Sequence, residues 1–280
     1  MRGRVVTGDG WDPGQYDRFR DERQEPFFDL LSLLHPAPGG RAIDLGCGTG
    51  ELTVALHRHL GAAETTGIDR SPAMLAASRA RAGDGVAFVL RDVGGFPDPN
   101  GADGQFDVIA ANASLQWVPD HVGVLLAASA SLRPAGQLAF QVPANADHPS
   151  HAVAEEVAAE PQFAPLLAGG PDRHLQPVLA PEQYADLLHR LGFTEQVVRL
   201  QVYGHVLESI DSVVEWVKGS LLTPYRELLD GATYEAFVER YRARLLDELG
   251  DQRPYFYPFK RILCWARRPG SAGPTPARTA

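Results

Sequence analysis

Residues 41–50 read RAIDLGCGTG, an apolar run with one acid inside it that closes on glycines 46, 48 and 50. Such a run bounded by glycine reads as a buried strand over Arg41–Cys47. The next ten residues, ELTVALHRHL, carry leucine at 52, 56 and 60, the i, i+4, i+8 spacing of one helix face. Strand, glycine turn and helix in that order open a βα unit. Glycine permits both the tight turn and the close approach of a ligand to the backbone.

Outward from that turn the pattern repeats. Thr65–Asp69 (TTGID) reads as a second strand, and Ser71-Pro72 supplies an N-cap with proline at the first helical position, starting a helix that runs to Arg81. Val86–Asp92, Phe106–Asn112 and Gly136–Val142 read as three more strands, with a helix over His121–Leu132. Strands alternating with helices predict an α/β fold with a Rossmann-like parallel sheet, its cofactor-binding core at 41–143. After Pro143 helices dominate, at His151–Ala159, Pro181–Leu191, Ile210–Lys218 and Tyr225–Leu249. A strand-like run at 194–207 is interrupted by Gly204, and an aromatic strand (YFYPFKRILCWAR) fills 255–268. The expected organisation is a single domain over 1–280 with seven strands, the last antiparallel. A helical lid and acceptor region at 144–254 covers the pocket, and 269–280 reads as a disordered tail.

The formal net charge of −9 argues against a nucleic-acid partner, because phosphate binding needs clustered lysine and arginine. The expected partner is a small-molecule acceptor, with the oligomeric state open between monomer and homodimer. Two cysteines make no disulfide framework, and no Cys/His spacing reads as a metal site. No window reads as a membrane span and no hydrophobic signal core opens the chain, so a reducing, cytoplasmic location is expected.

Asp69 follows Gly50 by about twenty residues at the tip of the second strand, where a carboxylate accepts from ribose hydroxyls. That much suits a nicotinamide dinucleotide equally. The D-x-G-x-G-x-G order of Asp44–Gly50, with an acid ahead of the glycines, favours a ligand with an amino-acid end and no phosphate: S-adenosyl-L-methionine. Asp44 can orient the network around its ammonium, directly or through water. The backbone of Gly46 and Gly48 would lie along the ligand, and Asp92, ending the third strand, can accept from the adenine amine. Three acids at three consecutive strand ends face one crevice, the place where open α/β sheets bind ligands.

With IDLGCGTG (43–50), GIDRSPAM (67–74) and the strand from Phe106, the chain resembles class I S-adenosylmethionine-dependent methyltransferases. WDPGQYDRF (11–19), NASLQWVPDH (112–121), Phe140–Pro143, Pro149–His151, EWVKG (215–219) and PFKRI (258–262) make it similar, within them, to trans-aconitate methyltransferases. The resemblance spans nearly the whole chain. It implies cofactor contacts from Gln15, Asp44, Gly46, Asp69, Met74, Asp92 and Asn112, with 11–40 as an N-terminal helical cover. It implies acceptor contacts from Tyr16, Arg23, Gln116, Trp117 and Arg261. It also implies O-methylation of a small carboxylic acid such as trans-aconitate. An ionised carboxylate needs no general base, in keeping with the lack of an evident His/Asp dyad near the motifs. The chain departs from the family pattern G-T-x-L-R-P at GSLLTP (219–224), with Thr223 in the arginine's place. The alternatives are methylation of a natural-product hydroxyl or amine, a nicotinamide-dependent oxidoreductase, and a non-catalytic cofactor-binding module.

Overall fold

A computed structural model describes residues 20–97, 105–168 and 178–270. Seven strands form one sheet in the order β3-β2-β1-β4-β5-β7-β6. They are β1 (Arg41–Leu45), β2 (Glu64–Asp69), β3 (Val86–Leu90), β4 (Phe106–Asn112), β5 (Leu132–Pro143), β6 (Glu195–Leu207) and β7 (Tyr255–Arg267). β7 runs antiparallel between β5 and β6, while the pairs from β3 through β5 are parallel. The chain moves outward from β1 to β3 and then returns to start β4 beside β1. That reversal leaves a crevice at the carboxyl ends of β1 and β4.

The helices are α1 (Arg20–Leu31), α2 (Glu51–Leu60), α3 (Pro72–Ser78), α4 (His121–Ser131), α5 (Pro149–Ala158), α6 (Pro181–Arg190), α7 (Ile210–Lys218), α8 (Thr223–Leu228) and α9 (Gly231–Leu249). Two expectations change. The single helix read over Tyr225–Leu249 is two, because Asp230 caps α9 by accepting from the Thr233 N–H at 2.9 Å and the chain turns there. Gly204 does not interrupt β6, since the Phe256 ring of β7 occupies the space a side chain would take.

Burial divides into three clusters. On one sheet face Ile43, Ile109 and Phe140 pack with α4 and α6. On the other, Ala42, Val108 and Leu263 pack with α1 and α2. The third lies beyond the strand ends, where α5, α7, α8 and α9 close around Tyr255, Tyr257 and Phe259. β7 feeds all three: its last residues alternate between the two sheet faces while its aromatic start belongs to the third.

Candidate active site

The glycine turn sets the floor of the crevice. Gly46 sits at φ 84°, and a Cβ placed there would meet the Ser114 Cβ at 2.3 Å, so only glycine fits between β1 and the turn after β4. Gly48, at φ 54°, is the opposite case. A Cβ on it meets nothing within 4 Å, because that side faces open space. The Gly48 N–H donates to Asp69 Oδ2 at 2.8 Å, and the Ser71 N–H donates to Asp69 Oδ1 at 2.9 Å. These two bonds fix the carboxylate at the tip of β2. At the end of β3, Asp92 accepts from the Gly94 N–H at 2.7 Å.

A cleft opens above this floor, and Gly46, Gly48, Asp69, Met74, Asp92 and Asn112 all line it. Asp44 does not. It is buried behind the turn, accepting from Thr53 Oγ1–H at 2.6 Å. Burial pushes its carboxyl up to about 6; the Thr53 bond opposes that shift and the Asp69 charge adds to it. Its place is beneath the wall, behind the residues that line the cleft.

The wall opposite the glycine turn is built by Asn112–Val118. Ala113 takes a left-handed backbone at φ 51°, a conformation that costs a side-chain-bearing residue energy and is held here by its N–H bond to the Gln141 carbonyl at 3.0 Å. The kink carries the chain into a single 3₁₀ turn over Leu115–Trp117. Behind that wall lies a second cavity of about 270 Å³, which shares Asn112, Ala113 and Trp117 with the first. Gln116, Trp117 and Arg261, expected at the acceptor, line it. So do Asn145, His151, Trp216 and Ser220.

Polar groups in this second cavity are fixed from behind. Arg261, only 7% exposed, donates from Nη1 to Gln141 Oε1 at 3.0 Å, and its guanidinium lies over the Phe259 ring. Asn145 Oδ1 accepts from the Lys260 N–H at 2.7 Å, and its buried side chain also bonds the Tyr257 hydroxyl, opposing the rise that burial gives that phenol. Gln116 Nε2 donates to the Ala113 carbonyl at 2.6 Å, and its buried Oε1 has no hydrogen-bond partner among the described residues. His151 Nδ1 lies 3.1 Å from Ser150 Oγ. Burial, reinforced by His148 and opposed by Asp147, lowers His151 to about 4, so the ring is uncharged at neutral pH.

Sequence reading missed Asn145 and His151 as cavity residues. Their only signal was membership of motif-matching segments, since neither sits at a strand tip. Thr223 is buried at the start of α8, outside the lining to which Ser220 and Leu221 contribute. Gln15 and Tyr16 lie outside the described residues, as do most of the residues read as the terminal tail. Of Arg23 only the backbone, within α1, is described.

A methyltransferase domain family matches residues 36–180. The trans-aconitate 2-methyltransferase of Deinococcus radiodurans is 40% identical over 263 residues, covering 92% of this chain and 98% of that one. The enzyme of the same name from Streptomyces avermitilis is 38% identical over 268 residues, covering 92% and 97%. Among solved structures, the YcgJ protein of Bacillus subtilis superposes with a TM-score of 0.58 at 13% identity, over 89% of this chain and 100% of that one. That likeness carries the fold alone. The chain belongs to the S-adenosylmethionine-dependent methyltransferases of class I, in the family of the trans-aconitate 2-methyltransferases. Among the described residues no helix is long and apolar enough to cross a membrane.

Proposed function

We propose that the chain methylates a carboxylate oxygen of a small di- or tricarboxylic acid such as trans-aconitate. In this reading the cofactor occupies the glycine-turn cleft and the acid occupies the cavity behind the Asn112–Trp117 wall. One observation carries it: Arg261, a cation only 7% exposed, lines the cavity that adjoins the cleft. A cation held in the core costs energy unless a ligand supplies an acceptor of opposite charge, so Arg261 sets the sign of that ligand. The names of the relatives support the same acceptor class.

The cleft residues fit S-adenosylmethionine. Gly48 leaves the space a side chain would fill, Asp69 and Asp92 offer carboxylates for ribose hydroxyls and the adenine amine, and Met74 gives the base an apolar face. When bound, the cofactor supplies an electrophilic methyl group on a sulfonium. The chain's own contribution is alignment. Arg261 and Asn145 would hold the carboxylate, Trp117 would wall the passage between the cavities, and the helices of 144–254 would exclude water. Asp44 would act from beneath, through the turn. His151, uncharged, would serve as a hydrogen-bonding group, since an ionised carboxylate has no proton to remove. Gln15, Tyr16 and Arg23 stay in the proposal as N-terminal contacts to cofactor and acceptor. Functionally, 41–143 is the cofactor half and 144–254 the acceptor half. The free thiols of Cys47 and Cys264 support a reducing, cytoplasmic setting.

A second reading has its own observation. Gln116 Oε1 offers an acceptor with no donor, which favours a substrate bearing a hydroxyl or amine. A screen with radiolabelled cofactor decides. Labelling of di- or tricarboxylates at a rate flat from about pH 7 to 9 is the expected result. Labelling of phenols or amines alone, with a rate that climbs as the amine deprotonates, would end the carboxylate reading. Arg261→Ala should raise the acceptor KM about tenfold to hundredfold.

A further inference from the structure

Gln141 lines neither cavity, yet it touches a residue of each. It is fully buried, with 0% exposure, in the middle of the sheet. The register sets it directly opposite Asn112 across β4 and β5, and one diagonal step from Arg261 across β5 and β7. Its Oε1 accepts from Arg261 Nη1 at 3.0 Å, and its Nε2 donates to Asn112 Oδ1 at 2.7 Å.

The order of these bonds is not reversible. A guanidinium only donates. Arg261 therefore forces Gln141 to turn its oxygen toward β7, which turns the Gln141 NH2 toward Asn112. Asn112 must in turn present its own oxygen to Gln141, and its NH2 is left for the cavities it borders. The direction of a hydrogen-bond donor at the cofactor cleft is thus set by a cation in the wall of the other cavity.

We infer that Gln141 is a positioning residue that transmits this polarity, so that Arg261 tunes cofactor affinity without touching the cofactor. The inference rests on the glycine-turn cleft being the cofactor site; it does not depend on the chemistry of the acceptor.

The test is calorimetric titration of S-adenosylhomocysteine into wild type, Gln141→Met, Arg261→Met, the double variant and Gln141→Glu. Gln141→Met and Arg261→Met should each raise Kd about threefold to tenfold, the worth of a misdirected buried donor. Because the two substitutions cut one chain, the double variant should be no weaker than the worse single one. Gln141→Glu is nearly isosteric and still accepts from Arg261. It faces Asn112 with an oxygen, so Asn112 should turn its own oxygen to the cleft, and Kd should rise as in Gln141→Met. A Gln141→Glu protein that melts near the wild-type temperature and binds with unchanged Kd overturns the inference. So does a double variant in which the two single effects multiply, because a purely structural role predicts independent losses. A wild type that binds no S-adenosylhomocysteine would instead bring down the cofactor reading itself.

Discussion

The two cavities share a wall but are built on opposite plans. The cofactor cleft draws on the tips of adjacent parallel strands, each tip supplying its residue from a short local motif: Gly46 and Gly48 after β1, Asp69 ending β2, Asp92 after β3, Asn112 ending β4. The proposed acceptor cavity gathers Gln116, Asn145, His151, Trp216 and Arg261 from segments scattered between β4 and β7. The first is specified by sequence neighbours and the second by register. A local motif should therefore fail sharply and alone, whereas changes near the shared wall should spread.

The largest effect should come from Gly46→Ala. Its left-handed backbone and the clash with Ser114 together should cost about 3 kcal/mol, a fall in Tm of roughly 6–12 °C, with S-adenosylhomocysteine binding weakened around a hundredfold. Calorimetric melting and titration check both; a variant with unaltered affinity would show the turn to be less exacting than its geometry.

Asp44 separates scaffold from contact. Its carboxyl stands at about 6 in the folded protein against 3.8 ordinarily, so between those values the folded chain holds a proton the unfolded chain has lost. The associated stability is fully present below about pH 4 and disappears as pH rises through about 6, a change of up to about 3 kcal/mol. Melting curves of wild type and Asp44→Asn across that window should diverge as pH rises, with the wild type losing ground. Parallel curves would mean the acid is not desolvated.

Asp69→Ala removes two backbone anchors and the carboxylate of the cleft together. Kd for S-adenosylmethionine should rise about tenfold to hundredfold, while the acceptor KM at saturating cofactor stays put. A joint rise would blur the division between the cavities. Trp117→Ala, at the shared wall, should do what Asp69→Ala does not: raise both cofactor Kd and acceptor KM, each about threefold. Steady-state kinetics with both substrates varied reads the two at once.

The same contrast explains what the sequence disclosed. RAIDLGCGTG, Asp69 and Asp92 were readable because a parallel sheet brings successive strand ends together whatever the loops do. Asp44 was read as reaching the ligand directly or through water, because its motif lies in the ligand's neighbourhood; only packing decides that its carboxylate bonds Thr53. Asn145 and His151 carry no periodic or turn signature. Asn145 is pinned at the cavity by the Lys260 backbone N–H, 115 positions away in sequence, and His151 stands there on the first turn of α5. Gln141 is the extreme case: a polar residue in an apolar strand whose partners emerge only from two strand pairings. The break between α8 and α9 was legible in principle, since Asp230 ahead of Gly231 is a capping signal that the apolar pattern of Tyr225–Leu249 masked.

β7 has a mechanical corollary. From Tyr255 to Arg267 it is laddered without a gap to β6, so the aromatic cluster under the helices and the centre of the sheet are stretches of one stiff ribbon. A cover mounted this way cannot swing as a door on a flexible hinge, because opening it would mean unzipping a ladder. Any opening is left to what surrounds the ribbon, while the ribbon, and Arg261 on it, stays in place. In the proposed reading Arg261 would be a fixed post, already aimed before any ligand arrives.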